Sequence, residues 1–356
     1  MTDVDYAVIG AGIAGTVAAR EIVRREPGAR ITVFDRDLAG SGASRRSAGL
    51  HFPRGRTARV REMTRYSQSY YQQLLQERPA LPIHPVDMVV VAGRAHEAEV
   101  AEAYLKEAGL KPAREPLPEG VFVPDDAAMW SVEGAQYAEV AALTQLLATS
   151  LRGQVAFREA VRVTALDPGP DAVVLRLGTG EELTAGRVLL APGPWLADPA
   201  WAGLTAPLGA RVKKIVAMHV DGAPGPDDPA VVFHDEDAFL LPLRERGHWL
   251  FSYTCTEWDV DPDRLVDGLR AEDQAAALEV LRRYSPALAG RCAAGRVFCD
   301  AYSTSREPLV RPLDDAGRVV FAGAANGSGY RLAPALAAAA ADLLCAAPAA
   351  AASPRS

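Results

Sequence analysis

The stretch Gly10-Ala11-Gly12-Ile13-Ala14-Gly15 constrains this chain more than any other, because of what surrounds it. The pattern G-x-G-x-x-G alone is a weak signal in a sequence with 30 glycines. Here the apolar run Asp5 to Ile9 precedes it and suits a buried parallel strand. The small and apolar stretch Thr16 to Val23 follows and suits a helix, which Pro27-Gly28 breaks. Ile31 to Phe34 is then a second strand, ending at Asp35, 20 positions after Gly15. That is a βαβ unit of about 30 residues with every context feature of a dinucleotide site. Gly10 permits the tight turn, Gly12 lets the backbone approach a pyrophosphate, and Gly15 lets the helix pack close to the strand. The pyrophosphate sits on backbone N–H groups at the helix start, which places Ala11, Ile13 and Ala14 in the site. Asp35 accepts from ribose hydroxyls and argues against a 2′-phosphate.

The 356 residues suggest two structural units. With 38 Lys+Arg against 45 Asp+Glu the net charge is −7, so the chain lacks the basic footprint of a nucleic-acid binder. Only four of those cations are lysines (Lys106, Lys111, Lys213, Lys214), so arginine enrichment is compositional and an arginine cluster means less than usual. Cys255, Cys292, Cys299 and Cys345 show no C-x-x-C spacing, and the six histidines show no metal-ligand spacing, so no metal is expected. No basic n-region precedes an apolar core at the N-terminus. The apolar stretch Leu332 to Ala352 is mostly alanine, interrupted by Pro334, Asp342 and Pro348, and reads as a packed helix with a frayed tail rather than a membrane span. The expectation is a cytoplasmic protein with no membrane or nucleic-acid partner; oligomeric state is not legible.

Further along, residues 57–78 read as a mostly polar helix, Val86 to Val91 as a strand, Gln136 to Leu151 as a helix and Gln154 to Val163 as a strand. Two strand-like runs flank the turn Gly178-Thr179-Gly180. Between Val212 and Tyr253 short strands alternate with loop signals (Lys214 to Val220, Ala230 to Phe233, Phe239 to Leu243, Trp249 to Tyr253), which suggests a separate antiparallel sheet. A helix over 271–284 follows, then a strand Val319 to Ala322, a glycine turn and a long alanine helix.

Three further segments go with the glycine motif. They are Leu38-Ala39-Gly40-Ser41-Gly42-Ala43-Ser44-Arg45-Arg46-Ser47-Ala48-Gly49, Val188-Leu189-Leu190-Ala191-Pro192-Gly193-Pro194-Trp195, and Val319-Val320-Phe321-Ala322-Gly323-Ala324-Ala325-Asn326-Gly327-Ser328-Gly329-Tyr330-Arg331. Together, in this order over residues 5–345, they resemble the FAD-dependent amine and amino-acid oxidoreductases, the superfamily of D-amino acid oxidase, glycine oxidase, D-arginine dehydrogenase and sarcosine oxidase. The resemblance implies an α/β fold: a discontinuous, Rossmann-like FAD-binding domain (1–85, 135–210 and 305–356) carrying an inserted antiparallel-sheet substrate domain (86–134 and 211–304). It adds Arg36, Ser44, Ser47, Ala48, Gly49, Val161, Ala191, Gly193, Trp195, Gly323, Gly327, Ser328, Gly329, Tyr330, Arg331 and Leu332 to the cofactor residues. FAD is expected to be noncovalent. Cys299-Asp300-Ala301-Tyr302-Ser303-Thr304 is similar, with a one-residue gap, to the Cys-x-Tyr-Thr stretch that carries a flavin thioether in sarcosine oxidases, so Cys299 is the alternative covalent attachment point.

The resemblance implies hydride transfer from an amine-bearing carbon to flavin N5, with imine and hydrogen peroxide as products and molecular oxygen as second substrate. The substrate expected is a small amine or amino acid, of anionic character. Arg331 falls where family members place a cation for the substrate carboxylate, which a guanidinium grips bidentately. Lys214 matches loosely a carboxylate-binding arginine of the D-arginine dehydrogenase pattern; adjacent lysines on a strand face opposite sides, so of Lys213 and Lys214 one is solvated. Tyr253 ends a strand and is a candidate to place a hydroxyl over the ring, a buried structural tyrosine being the alternative. His51 follows the Ser-Ala-Gly turn and is a candidate to face the ring. The run Arg45, Arg46, Arg54, Arg56, Arg59, Arg61 is either a guide for an anion, such as a dicarboxylate, or a solvated face. One departure matters: many members carry a carboxylate-binding arginine shortly before a strand like Pro308-Leu309-Val310-Arg311, and here that position falls near Asp300 or Ala301. An N-substituted amino acid of a biosynthetic pathway, in a glycine-oxidase-like reaction, is therefore favoured over a small α-amino acid. The alternatives are a dehydrogenase with another electron acceptor and a flavin-binding accessory subunit without turnover.

Overall fold

The computed structural model describes residues 2–113 and 117–346. Two large sheets organise it. The first runs Val155–Arg158, Ile31–Phe34, Val4–Ile9, Glu182–Leu190 and Val319–Gly323, all parallel neighbours, with Leu309–Pro312 antiparallel at the edge. Its central strands are apolar almost without alternation because both faces are covered. Tyr6 and Val8 face helices Ile13–Arg25, Val140–Leu151 and Gly329–Leu344, while Ala7 and Ile9 face the hairpin Val163–Pro168/Val173–Leu177. Alanines 333, 337, 340 and 341 let Gly329–Leu344 lie close against Ile13–Arg25.

The second sheet runs Cys292–Tyr302, Arg211–Val220, His248–Tyr253, Ala238–Leu243, Ala230–Phe233, Met88–Gly93, Ala127–Val132 and Lys111–Pro112. It is antiparallel except for one parallel pair, Ala230–Phe233 against Met88–Gly93. Helix Ala271–Tyr284 covers one face. Among the described residues no helix is long and apolar enough to cross a membrane.

Several elements differ from the sequence expectation. The helix expected from Gln136 begins at Val140, and Gln136–Ala138 is instead a short strand between Leu50–His51 and Ile83–Pro85. The strand expected over 154–163 is two, Val155–Arg158 and Val163–Pro168, split by a turn in which Ala160 has φ 56°. Cys292–Tyr302, at 11 residues, went unread because Ala293-Ala294-Gly295-Arg296 carries no alternation. Pro334 lies in the second turn of its helix, not the first. It therefore leaves the Tyr330 carbonyl without a helical donor, and the Tyr71 hydroxyl donates to that oxygen at 2.6 Å. The alanine stretch beyond residue 346 lies outside the described residues.

Candidate active site: two cavities that meet at a glycine turn

At the carboxyl ends of the parallel strands the glycine loop is fixed by contacts that only glycine allows. Gly10 has φ +102°, and a Cβ there would sit 2.3 Å from the Ala191 carbonyl oxygen; a Cβ at Gly15 would sit 1.9 Å from that of Gly10. The Asp35 carboxylate accepts from the Ala11 N–H (2.7 Å) and the Asp37 N–H (2.9 Å), tying the loop to the end of the second strand. Burial pushes its pKa up, against those hydrogen bonds. The Ser44 hydroxyl accepts from the Ile13 N–H at 3.0 Å, so a side chain outside the motif caps the helix. Two of the expected backbone donors, Ala11 and Ile13, are thus already engaged, which leaves Gly12 and Ala14 to face a ligand.

A cavity runs along this loop. Asp35, Arg36, Val161 and Trp195 lie at one end; Gly10, Gly12, Ile13, Ala14, Ser44 and Ser47 line its middle; Ala191 and Gly193 form a side; Gly323, Gly327, Gly329 and Tyr330 close the far end. Ala11 and Gly15 lie beneath it rather than on it. The Arg36 guanidinium rests 4.3 Å over the Trp195 ring and pairs with Asp263 at 2.7 Å, while Trp195 Nε1 donates to the same carboxylate at 2.8 Å. Asp263, on the 3-10 turn Pro262–Asp267, thereby links the chain's 211–302 region to this end. No sequence signal marks it. The elongated shape, the glycines no side chain can replace and the acid at one end suit an extended dinucleotide such as FAD.

The second cavity opens beside the first and shares Ser47, Asp300, Ala325, Gly327 and Tyr330 with it. Ala48, Gly49, Ser328, Arg331 and Leu332 line this second one. Arg331 lies 4.7 Å over the Phe52 ring, and its Nη2 donates to the Ser328 hydroxyl. Its buried Nη1 has no partner, nor do Nε and Nη2 of buried Arg54, which lines the same cavity. Burial and the charge of Arg54 lower the Arg331 pKa to about 10. Arg54 is the member of the arginine run that matters; Arg59 pairs with Glu307, and Arg46 and Arg61 donate to backbone carbonyls.

Four expectations are corrected. Lys214 is buried facing helix Ala271–Tyr284, in ion pairs with Asp273 (2.7 Å) and Glu257 (2.8 Å), and lines neither cavity. Burial opposes its charge, but the two carboxylates override it and raise its pKa. Lys213, on the opposite face of the strand, is the cavity lysine, its ammonium 4.8 Å over the Trp258 ring. Tyr253 packs on the helix-covered face, while its neighbours Ser252 and Thr254 face the cavity. The tyrosine that lines both cavities is Tyr330, and Tyr302 lines the second with its hydroxyl beside Gly327. His51 is fully buried outside both linings, edge-on to Tyr71 at 5.8 Å, and burial followed by the charge of Arg331 holds its pKa down near 3. Cys299 points into the apolar cluster under the first sheet, where burial pushes its thiol up to about 12. That face and that protonation give no thiolate for a flavin thioether. Among the described residues no group of three or more His, Cys, Asp or Glu is placed to hold a metal.

The family model described as "DAO: FAD dependent oxidoreductase" matches residues 5–343. Among solved structures, L-proline dehydrogenase from P. horikoshii is similar at TM-score 0.81 and 16% identity, over 96% of this chain and 93% of that one. NikD, an unusual amino acid oxidase essential for nikkomycin biosynthesis, is similar at TM-score 0.79 and 18% identity, over 96% and 93%. Iminodiacetate oxidase from Chelativorans sp. BNC1 is similar at 0.76 and 19%, over 96% and 95%. At these identities the likeness concerns the fold. No curated protein sequence matches the chain.

Proposed function

The chain belongs to the FAD-dependent oxidoreductase family whose model spans residues 5–343, and from that premise we propose that it oxidises an anionic amine or amino acid at the carbon beside the nitrogen. The observation that carries this reading is the pair of guanidinium groups, Arg331 and Arg54, with unpartnered buried nitrogens in a cavity that opens onto the cofactor cavity. Buried donors without partners are costly, and a carboxylate satisfies them. FAD, when bound, supplies a two-electron acceptor for hydride from the amine-bearing carbon. Gly10, Gly12, Ala14 and Ser44 would hold its pyrophosphate and Asp35 its ribose; Arg36 and Trp195 would cover the adenosine end, while Gly323, Gly327 and Tyr330 would border the ring. Arg331 and Arg54 fix the carboxylate, which sets the reacting carbon at the junction of the cavities. Phe52, Phe298 and Tyr302 wall the substrate cavity.

The products on this reading are an imine and, with molecular oxygen as second substrate, hydrogen peroxide. Lys213, Arg56 and Arg306 also line the substrate cavity, which supports a second anionic group on the substrate, as in an N-substituted amino acid. We assign the described residues of 1–85, 135–210 and 305–356 to the FAD-binding domain and those of 86–134 with 211–304 to the substrate domain. The four cysteines carry free thiols, which supports a reducing, cytoplasmic setting. Anaerobic bleaching of the yellow protein against a panel of primary amino acids, N-substituted amino acids and uncharged amines tests the proposal. Bleaching by carboxylate-bearing amines is expected, and bleaching by uncharged amines alone refutes the carboxylate clamp. The rate of recolouring in air separates oxidase from dehydrogenase.

A further inference from the structure

We propose that Asp300 receives the substrate's amine and takes its proton, leaving the nitrogen neutral before its carbon is oxidised. The assignment rests on the amine-oxidising reading above. Asp300 lies on strand Cys292–Tyr302, near the position where the sequence pattern leads one to expect a carboxylate-binding arginine. Strand alternation sends Asp300 and Tyr302 to the cavity side, with Cys299 turned to the apolar cluster. Among the described residues Asp300 is the one acid that lines both cavities. The carbon that gives up hydride must stand where the two cavities meet, and its nitrogen is one bond away. An acid at the junction is therefore within reach of the amine.

The surroundings leave that carboxylate for a ligand. Among the described residues no ion pair and no hydrogen bond to its oxygens is found. Gly327 opens the space below it: a Cβ there would lie 3.1 Å from the Tyr302 hydroxyl and 4.0 Å from Asp300 Oδ2. The titratable groups around it are Tyr302 on its own strand, Lys213 opposite it on Arg211–Val220, Asp237 on the turn before Ala238–Leu243, and Arg331 on the last helix. Lys213 lies over the Trp258 ring at 4.8 Å and the Tyr302 ring at 5.6 Å, and Arg331 over Phe52. The cavity thus brings cations around an acid that, among the described residues, pairs with none of them, an arrangement complementary to a zwitterion. Burial pushes the Asp300 carboxyl up to about 6, so the group changes charge just below neutral pH.

The proton step balances as follows. One N–H bond of the substrate ammonium breaks, an O–H bond forms on Asp300, and the nitrogen keeps the electron pair. That pair becomes the second C–N bond as hydride leaves the carbon, with FAD when bound as its acceptor; the resulting iminium releases one proton to water to give the imine, and Asp300 returns its own proton to solvent.

The test uses the FAD-loaded protein and two isosteric dicarboxylates, iminodiacetate and glutarate, which differ by NH₂⁺ against CH₂. Dissociation constants are read from the rapid anaerobic change in flavin absorbance, before any bleaching. At pH 8 the wild type should prefer iminodiacetate by about tenfold or more, the worth of one charged hydrogen bond, and the preference should vanish below pH 5 as Asp300 protonates. Asp300→Asn should bind the two equally at every pH, with glutarate held at least as tightly as by the wild type. Asp300→Glu should restore part of the preference, and Arg331→Ala should weaken both ligands alike. Asp300→Asn that keeps the wild-type preference overturns the proposal while the carboxylate clamp stands. Wild type that binds neither dicarboxylate overturns the clamp, and the proposal with it.

Discussion

Arg331→Ala is the most telling perturbation of the substrate cavity. In the folded protein the Arg331 guanidinium spends Nη2 on Ser328 and leaves Nη1 buried without a partner, facing a cavity that Arg54 enters with two more unpartnered nitrogens. A substrate carboxylate that settles there gains charge-assisted hydrogen bonds and relieves the repulsion between the two cations. Two such bonds at about 1.5 kcal/mol each make roughly 3 kcal/mol, which at 1.36 kcal/mol per tenfold is on the order of a hundredfold in kcat/KM. Arg331→Lys keeps the charge and loses the fork, so its loss should be nearer tenfold. Arg54→Ala should resemble Arg331→Ala, and the double variant should fall short of the product of the two because both grip one carboxylate. Flavin content should stay normal throughout, since Asp35 and the glycine loop line the first cavity and neither Arg331 nor Arg54 does. With its pKa lowered to about 10 by burial and Arg54, Arg331 loses its charge earlier than an ordinary arginine, so KM for an anionic substrate should climb as pH rises through 10. The measurements are steady-state kinetics beside the flavin spectrum of each variant. Near wild-type kcat/KM for Arg331→Ala on a carboxylate-bearing substrate refutes the reasoning, as does an equal loss on a substrate without a carboxylate.

Gly12→Val places a branched side chain where the pyrophosphate approaches and against Ser44, whose Oγ lies 3.3 Å from the Cβ position; the purified protein should be colourless, and a normally yellow one overturns the site. Gly15→Ala should give no stable protein, because its methyl would lie 1.9 Å from the Gly10 carbonyl oxygen; normal expression and melting temperature would show the helix can move. Lys214→Met takes away one of buried Asp273's two cations and leaves Arg270 at 3.3 Å, so melting should reveal a loss of about 2 kcal/mol with flavin binding intact; Lys213→Met should instead leave stability alone and raise KM for anionic substrates. His51 is held down near pKa 3 in the fold against 6.5 unfolded, so the unfolded chain binds the extra proton and stability falls with acid. From pH 6 to pH 4 that is about 2 kcal/mol, a slope His51→Phe should flatten in urea titrations.

The sequence makes the cofactor half legible because its constraints are local. A tight turn, a close helix and an acid at a strand end are each a demand on one residue type, and Gly10, Gly15 and Asp35 meet those demands within 26 residues of one another. Ser44 was legible only through the family resemblance, since its hydroxyl caps a helix 31 residues away. Asp263 was not legible at all, and Arg54 only as one member of a run of six arginines. A lone acid in a turn and one arginine among many look like solvated surface until the fold brings Asp263 to Trp195 and buries Arg54 beside Arg331.

The misses in the substrate half share one physical origin. Lys214 against Lys213, Tyr253 against its neighbours Ser252 and Thr254, and Cys299 against Asp300 are the same ambiguity, three times over. A period of two says which residues share a face of a strand but not which face meets the cavity. A half-exposed strand betrays its inner face by polarity. Arg211–Val220 does not: from Lys214 to Val220 every residue but His219 is buried, because helix Ala271–Tyr284 covers one side and the cavity floor the other. The deciding fact is the Asp273 carboxylate, which claims Lys214 from a helix some 60 residues downstream. Once that pair is fixed, Lys213 must face the cavity. Asp300, opposite Lys213 across the ladder, lines the same cavity. The strand that carries Asp300 to the junction of the two cavities was itself invisible to periodicity. The chemistry of this enzyme was therefore hardest to read where strand parity, rather than residue type, decides which side chain meets the substrate.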